Sequence, residues 1–157
     1  MKRHAVLFGA FVFIIINACN NKKTETKDTG GEVKLITGDT LMTTIMDDHN
    51  IGMARMGRLG IAQGRIQSII DSIERLPAKS KQALAPYKIK LDKLFQDLKT
   101  AKSGMEKWMD EFNMDSAVND AKKRMKYLTD EKLKVSKVKD NILSSLQRAD
   151  SLIKEKL

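Results

Sequence analysis

The chain is poor in cysteine, proline and aromatic residues. Its 157 residues include one cysteine, two prolines, five phenylalanines, two tyrosines and one tryptophan. A single cysteine excludes an intrachain disulfide and a metal site built from several thiolates. No segment alternates apolar and polar residues with a period of two, so we predict no sheet. The remaining composition, rich in Lys, Leu, Ile, Met, Asp and Ala, favours an all-α fold.

Motifs that support catalysis are also missing. The sequence has no glycine-rich phosphate loop and no HExxH motif, and it has only two histidines, His4 and His49. The adjacent carboxylates of Asp47 and Asp48 would point about 100° apart on a helix, so they do not form a facing acid–base pair. We therefore expect that the protein is not an enzyme.

The N-terminus has the features of a secretory signal peptide. Basic residues Lys2 and Arg3 precede the uncharged run from Ala5 to Ala18, and the polar segment that begins at Asn20 follows Cys19. This order predicts a signal peptide over residues 1–18. The run is shorter than the roughly 20 apolar residues that a membrane-spanning helix needs.

The tetrapeptide Ile16-Asn17-Ala18-Cys19 resembles a bacterial lipobox, although Asn17 departs from the small or aliphatic residue usual there. The resemblance implies cleavage before Cys19, diacylation of its thiol with palmitate-type chains and acylation of the new amine. The alternative is an ordinary signal peptide with an unrelated cysteine. Because Asn20 rather than aspartate follows the cysteine, and lysines rather than acidic residues come next, we expect an outer-membrane lipoprotein that faces the periplasm.

Residues 19–38 would form the lipidated cysteine and a linker. The segment is polar, lacks aromatic residues and contains Gly30-Gly31, which predicts a flexible tether. Removal of Lys2 and Arg3 with the signal lowers the net charge from +9 to +7. That charge fits a solvated surface or attraction to lipid headgroups and other anionic polymers. Since an exported protein does not normally meet nucleic acid, we expect no nucleic-acid partner.

Residues 39–157 form the predicted folded domain. Apolar residues recur there at steps of three and four in three segments, which predicts an elongated up-down-up antiparallel three-helix bundle with seams like those of a coiled coil. We predict N-caps at Asp39 for the first helix and at Asp115 or Ser116 for the third, and a second helix that starts near Ser80 or after Pro86. The predicted stripes are Met42, Ile45, Met46, His49, Met53, Met56, Leu59, Ile66, Ile70, Ile73 and Leu76; Leu84, Tyr87, Leu91, Leu94, Phe95, Leu98, Ala101, Met105, Trp108, Met109 and Phe112; and Val118, Ala121, Met125, Leu128, Val135, Val138, Ile142, Leu146, Ala149 and Ile153.

Four glycines interrupt the first segment, at positions 52, 57, 60 and 64. Each costs about 1 kcal/mol relative to alanine inside a helix. Close approach of a neighbouring helix would offset that cost.

A stripe of methionines and a histidine is the sharpest local feature. Met42, Met46, His49, Met53 and Met56 share one helix face, and an antiparallel hairpin would bring them near the end of the second helix. Thioethers and imidazole are ligands for Cu(I) and Ag(I), and a tryptophan can cap such an ion through a cation–π contact. The alternative is ordinary core packing, since methionine commonly fills helical cores. The candidate copper ligands are Met46, His49, Met53, Met105, Trp108 and Met109.

Two segments carry a family resemblance: Ile45-Met46-Asp47-Asp48-His49 with Met53-Ala54-Arg55-Met56-Gly57, and Gly104-Met105-Glu106-Lys107-Trp108-Met109-Asp110-Glu111-Phe112. With the lysine-rich C-terminal segment they resemble small lipoproteins of Bacteroidota that are often labelled "viral A-type inclusion protein". In that family the histidine precedes the acid, whereas here Asp48 precedes His49. The resemblance implies a helical fold and an envelope location but no activity.

Three functions follow as hypotheses. The first is a membrane-anchored, non-catalytic helical module that binds another envelope protein or itself. The second is periplasmic binding of copper or silver by the methionine, histidine and tryptophan residues. The third is binding of an anionic polymer, which salt would weaken steeply.

Overall fold

The computed structural model describes residues 37–155 and confirms the all-α prediction for them. Three helices follow one another in the chain: α1, Gly38–Glu74; α2, Ala78–Glu111; and α3, Ala121–Lys154. Residues 1–36 and 156–157 lie outside the described part. The predicted signal peptide, Cys19 and nearly all of the predicted linker therefore fall there.

Helix α1 starts slightly earlier than predicted. Its N-cap is Thr37, whose side chain accepts a hydrogen bond from Thr40 N at 3.2 Å. The prediction of Asp39 as N-cap is therefore wrong. Asp39 lies instead in the first turn, where its negative charge favours the positive end of the helix dipole.

A short turn joins α1 to α2, which starts at Ala78. The predicted start near Ser80 is correct to within two residues, and the alternative start after Pro86 is wrong. Pro77 is the N-cap, and its carbonyl accepts hydrogen bonds from the backbone N of Ser80 and Lys81, both at 3.0 Å. Pro86 lies inside α2. A proline within a helix removes one backbone hydrogen bond. The adjacent Tyr87 is buried in the core, and its packing can offset that loss. Packing of this kind cannot be seen in the sequence pattern.

The connection from α2 to α3 is longer than predicted, because neither Asp115 nor Ser116 caps α3. The N-cap is Asp120, whose side chain accepts from Lys123 N at 3.0 Å. Asn113 Oδ1 accepts from Asp115 N at 2.9 Å, which places Asp115 in a local turn. Within residues 37–155, Ala117 is the one non-glycine residue with positive φ, at 56°.

Contacts between the helices establish the up-down-up order. Ion pairs join the second half of α1 to the end of α3, Arg58 to Asp150 at 3.0 Å, and the middle of α2 to α3, Asp97 to Arg148 at 2.7 Å. A Cβ placed on Gly38 would lie 3.7 Å from Leu128 Cδ1, so the first turn of α1 lies beside the early turns of α3. The hydroxyl of Tyr87, early in α2, donates to the carbonyl of Leu152, late in α3, at 3.2 Å. Thus α1 and α3 run parallel, and α2 runs antiparallel to both.

The core is one continuous seam between the three helices. Its buried positions on α2 recur at alternating steps of four and three, which is the spacing of a coiled-coil heptad. These positions are Tyr87, Leu91, Leu94, Leu98, Ala101, Met105 and Trp108.

The buried face at the start of α1 differs from the predicted stripe by one residue. It passes through Leu41, Ile45, Asp48 and Gly52. Met42, Met46, His49 and Met56 are half-buried beside it, and Met53 is exposed. Further along, Leu76 is exposed, as are Val118 and Ala121 at the start of the third predicted stripe. Leu76 lies in the turn between α1 and α2, and Val118 lies in the connection between α2 and α3, so neither residue belongs to the bundle core.

None of the helices in the described residues combines the length and apolar character needed to cross a membrane.

Candidate functional site

A row of aromatic rings crosses the bundle near the C-terminal end of α2. The ring centroids of His49 and Trp108 are 5.6 Å apart, those of Trp108 and Phe112 are 4.7 Å apart, and those of Phe112 and Tyr127 are 6.2 Å apart. The hydroxyl of Tyr127 accepts a hydrogen bond from Asn113 N at 2.7 Å. The row therefore connects α1, the end of α2 and the start of α3.

Glu131 of α3 is hydrogen-bonded to the tryptophan of this row. Its side chain is only 5% exposed. Trp108 Nε1 donates to Glu131 Oε2 at 3.0 Å, and Lys134 Nζ donates to Glu131 Oε1 at 2.7 Å. The hydrogen bond and charge of Glu131 raise the pKa of Lys134. Both carboxylate oxygens of Glu131 are thus used in structural bonds.

A second buried polar group lies in the seam between α1 and α3. Lys139 Nζ donates to Asp48 Oδ1 at 2.7 Å, and Ser136 Oγ donates to Asp48 Oδ2. Burial by itself would raise the pKa of Asp48, but the hydrogen bonds and the charge of Lys139 outweigh it, so the pKa is lowered. The same pair raises the pKa of Lys139. This is an ion pair that joins two helices.

The six predicted copper ligands occupy different environments. His49 and Trp108 are in contact, Met105 is fully buried, and Met46 is half-buried. The terminal methyl group of Met105 fills the space above Gly52. Met53 and Met109 lie on the surface, 38% and 37% exposed. The structure therefore brings the histidine and the tryptophan together, and it places the methionines at three different depths.

Residues 37–155 contain no cluster of three or more His, Cys, Asp or Glu side chains that could hold a metal ion. A site for a soft metal in this part of the chain would therefore depend on thioether sulfur together with His49.

A groove of about 650 Å³ runs between α2 and α3. Leu94 and Leu152 are among the residues that line it. The pair of Asp97 and Arg148 forms part of its wall, and the hydrogen bond from Arg148 lowers the pKa of Asp97 despite partial burial. The opposing charges are already paired with each other, so the groove presents no unpaired acid or base at this point.

The sequence patterns did not identify Asp48 and Glu131 as buried residues. The signal that could have found them is the heptad spacing. Asp48 follows Ile45 by three residues, and Glu131 follows Leu128 by three, so each occupies a core position of its helix. An interpretation that follows hydrophobicity alone skips such positions, because it treats every charged residue as exposed.

No protein-family model, curated protein or solved structure matches this chain.

Proposed function

We propose that this protein is a lipid-anchored, non-catalytic helical module of the bacterial envelope. It is held at the outer membrane through Cys19, faces the periplasm, and binds another envelope protein or a second copy of itself. The N-terminal sequence pattern and the resemblance to Bacteroidota lipoproteins support the location.

The exposed surface supports the interaction role. The two buried carboxylates, Asp48 and Glu131, are used in hydrogen bonds between helices, to α3 and to α2 respectively. On the outside, each helix exposes one large aliphatic side chain by more than 60%. These residues are Ile61 at 62%, Ile89 at 67% and Leu133 at 64%. A partner that binds this surface would cover at least one of these three side chains.

The test is photo-crosslinking in cells with a photoreactive residue at Ile61, Ile89 or Leu133, one at a time. Gln96, an exposed polar residue of α2, serves as the control position. We expect a discrete adduct from at least one aliphatic position and none from Gln96. An adduct of twice the monomer mass would indicate self-association. If the four positions gave the same diffuse pattern, the proposed interaction role would be wrong.

The anchor has a separate test. The wild-type chain should remain in the membrane pellet after an alkaline wash, and the Cys19→Ser variant should be released. Mass spectrometry of the N-terminal peptide should show the acyl chains. An unmodified Cys19 in the purified protein would contradict the lipoprotein assignment.

We propose Cu(I) or Ag(I) binding as a second candidate function, because His49 and Trp108 are in contact across two helices. Met46 lies on the same face of α1 as His49, and Met105 is one turn before Trp108. Imidazole and thioether are ligands that suit these ions, and the indole ring can interact with the cation. The further ligands would be Met53 and Met109.

An anaerobic Cu(I) titration followed by Trp108 fluorescence tests this candidate. We expect stoichiometric quenching that is lost in His49→Ala and Met46→Leu. Met114→Leu is the matched control, because Met114 is an exposed methionine outside the candidate set. Quenching that is absent, or that is the same in all of these variants, would rule copper binding out.

A further inference from the structure

A shallow channel runs along the outer seam between α1 and α3. Two adjoining depressions form it, of about 340 Å³ and about 190 Å³, and Arg58, Leu146 and Asp150 line both of them. We call it the arginine channel. The charged residues that line it are four basic ones and one acidic one: Arg55, Arg58, Arg65, Lys154 and Asp150.

Within residues 37–155, one of these four basic residues has an acidic partner. Arg58 pairs with Asp150 at 3.0 Å, and the two side chains are 52% and 55% exposed. Arg55, Arg65 and Lys154 are exposed and form no ion pair with another residue of that range. Their charges are therefore available to an anion from outside the bundle.

The positive charge of the channel is not cancelled by the rest of the bundle at the same level. That level extends from the contacts of Gly52 with Met105 and Ile142 to the hydrogen bond between Tyr87 and Leu152. It comprises residues 52–69, 87–105 and 142–155, which include ten basic and four acidic residues, a net charge of +6.

Helix α1 itself carries no negative charge beside the channel. Its nearest acidic residues are Asp48, which is paired with Lys139, and Asp71, which lies six residues beyond Arg65. The 22 residues between Asp48 and Asp71 contain three arginines and no acid. A ligand for this face must therefore be negatively charged.

Apolar side chains are interspersed with the basic ones. Ile61, 62% exposed, lies between Arg58 and Arg65, and Leu143, 37% exposed, lines the channel together with Arg55. Arg55 and Arg65 lie ten residues apart, about 15 Å along the helix. A lipid headgroup would concentrate its charge at one point, and a polysaccharide would leave the aliphatic side chains uncovered. A helix with acidic and aliphatic residues along one side matches both features.

A second copy of this chain does not match the channel. If two copies packed through this face around a two-fold axis, the arginines of one would face those of the other. Like charges placed opposite each other disfavour such packing. Charge complementarity therefore favours a different protein as the partner.

We propose that the arginine channel binds an acidic, amphipathic helical segment of another envelope protein. Carboxylates of that segment pair with Arg55, Arg65 and Lys154, and its aliphatic side chains cover Ile61 and Leu143. This inference rests on the proposed interaction role, which it assigns to one face of the bundle and one kind of partner.

The experiment measures binding of a synthetic peptide by fluorescence anisotropy. The probe is a fluorescein-labelled helical peptide of leucine, alanine and glutamate, with leucine at heptad spacing. A peptide with lysine in place of glutamate is the control. The full chain is used, purified in a nonionic detergent. We expect the glutamate peptide to bind, the lysine peptide not to bind, and salt to weaken the binding.

Variants of the protein locate the binding on its surface. Arg55→Gln and Arg65→Gln, introduced together, should weaken binding of the glutamate peptide about tenfold, since two exposed ion pairs are lost. Lys99→Gln with Lys137→Gln is the matched control, because both lysines are exposed, lie outside the channel and remove the same charge. This control should weaken binding less than about twofold. Ile61→Gln should also weaken it.

Three results would overturn the proposal. Equal weakening in the two double variants would show that net charge alone attracts the peptide. Equally strong competition by polyglutamate, together with no effect of Ile61→Gln, would assign the channel to a polyanion without apolar contacts. Displacement of the peptide by phosphatidylglycerol vesicles, but not by phosphatidylcholine vesicles, would assign it to an anionic membrane surface.

Failure of this inference is distinguishable from failure of the interaction role. A discrete photo-crosslink in cells from one of the three aliphatic positions, together with no binding of the glutamate peptide, would retain the interaction role and reject the acidic partner. If all positions gave the same diffuse pattern in cells, the interaction role and the assignment of the channel would both be wrong.

Discussion

Two carboxylates, Asp48 and Glu131, lie in the seams between helices and receive hydrogen bonds there. The side chains of Asp48 and Lys139 are 12% and 19% exposed, so water screens their interaction only weakly. A buried pair of this kind need not stabilise the fold more than an apolar pair would. Removing one partner is costly, however, because it leaves the other charge buried without compensation.

At the residue scale we predict that Asp48→Asn lowers the free energy of unfolding by about 2 kcal/mol. The variant retains the size of the side chain but leaves Lys139 with only the more distant and exposed carboxylate of Asp140, at 3.5 Å. Asp47→Asn is the matched control, since Asp47 is the adjacent carboxylate and is exposed. It should change the free energy by less than about 0.5 kcal/mol. Urea unfolding at neutral pH measures both, and equal effects in the two variants would contradict the assigned role of Asp48.

The same pair predicts a pH dependence. The pKa of Asp48 in the folded protein is below its ordinary value of 3.8. Its contribution to stability is therefore complete above pH 3.8 and is lost as the pH falls through the lower pKa of the folded state. The difference between wild type and Asp48→Asn should shrink over that acidic range. Unfolding experiments at a series of acidic pH values check this, and a difference that is constant with pH would be inconsistent with it.

The four glycines of helix α1 divide into two classes. A Cβ at position 52 would collide with the terminal methyl group of Met105 and would lie 3.4 Å from Ile142 Cδ1. A Cβ at position 57, 60 or 64 would meet nothing within 4 Å. The expectation that close helix packing offsets the cost of these glycines therefore holds for Gly52 and is wrong for the other three within the bundle.

We predict that Gly57→Ala, Gly60→Ala and Gly64→Ala each raise the free energy of unfolding by about 1 kcal/mol, because alanine is the better helix former. Gly52→Ala should instead lower it by about 1 kcal/mol, since the fully buried Met105 side chain must move its terminal methyl group away from the new Cβ. Thermal and urea unfolding of the four variants provide the measurement. If the double variant Gly52→Ala, Met105→Ala loses less stability than the sum of the losses in the two single variants, the contact between positions 52 and 105 is confirmed. A gain in stability at position 52 equal to that at position 57 would refute it.

The existence and order of the helices were predictable, whereas their ends were not. Apolar spacing over about ten turns indicates each helix regardless of local detail. A cap depends on one or two side-chain hydrogen bonds, and several neighbouring residues can make them. Thr37 and Asp39 are both good N-caps by type, as are Asp115, Ser116 and Asp120. Of the last three, Asp120 is the one whose carboxylate accepts a hydrogen bond from the first turn of α3, from Lys123 N.

Trp108 contacts residues of both other helices, so its environment depends on all three. It lies on α2, its ring contacts His49 of α1, and its indole nitrogen donates to Glu131 of α3. It is also the only tryptophan in the chain. Its fluorescence therefore follows the packing of the bundle as a unit.

We predict that Trp108 fluorescence and far-ultraviolet circular dichroism give coincident urea transitions for the acylation-deficient Cys19→Ser chain. One shared core should unfold in a single cooperative step. Glu131→Gln should move both transitions together to lower urea. A fluorescence transition that precedes the loss of helix would show that the aromatic end of the bundle opens on its own.

Periodicity in the sequence predicts three helices in an up-down-up bundle for the described residues, because it records which face of each helix avoids water. The sequence also carries the N-terminal pattern on which the proposed lipid anchor depends. Packing between the helices was needed to show that Gly52 lies in the seam beside Asp48 and that Met53 lies outside it. A shift of one residue rotates a helix by about 100°, and hydrophobicity cannot set that rotation where the buried position is held by an ion pair or by a close contact.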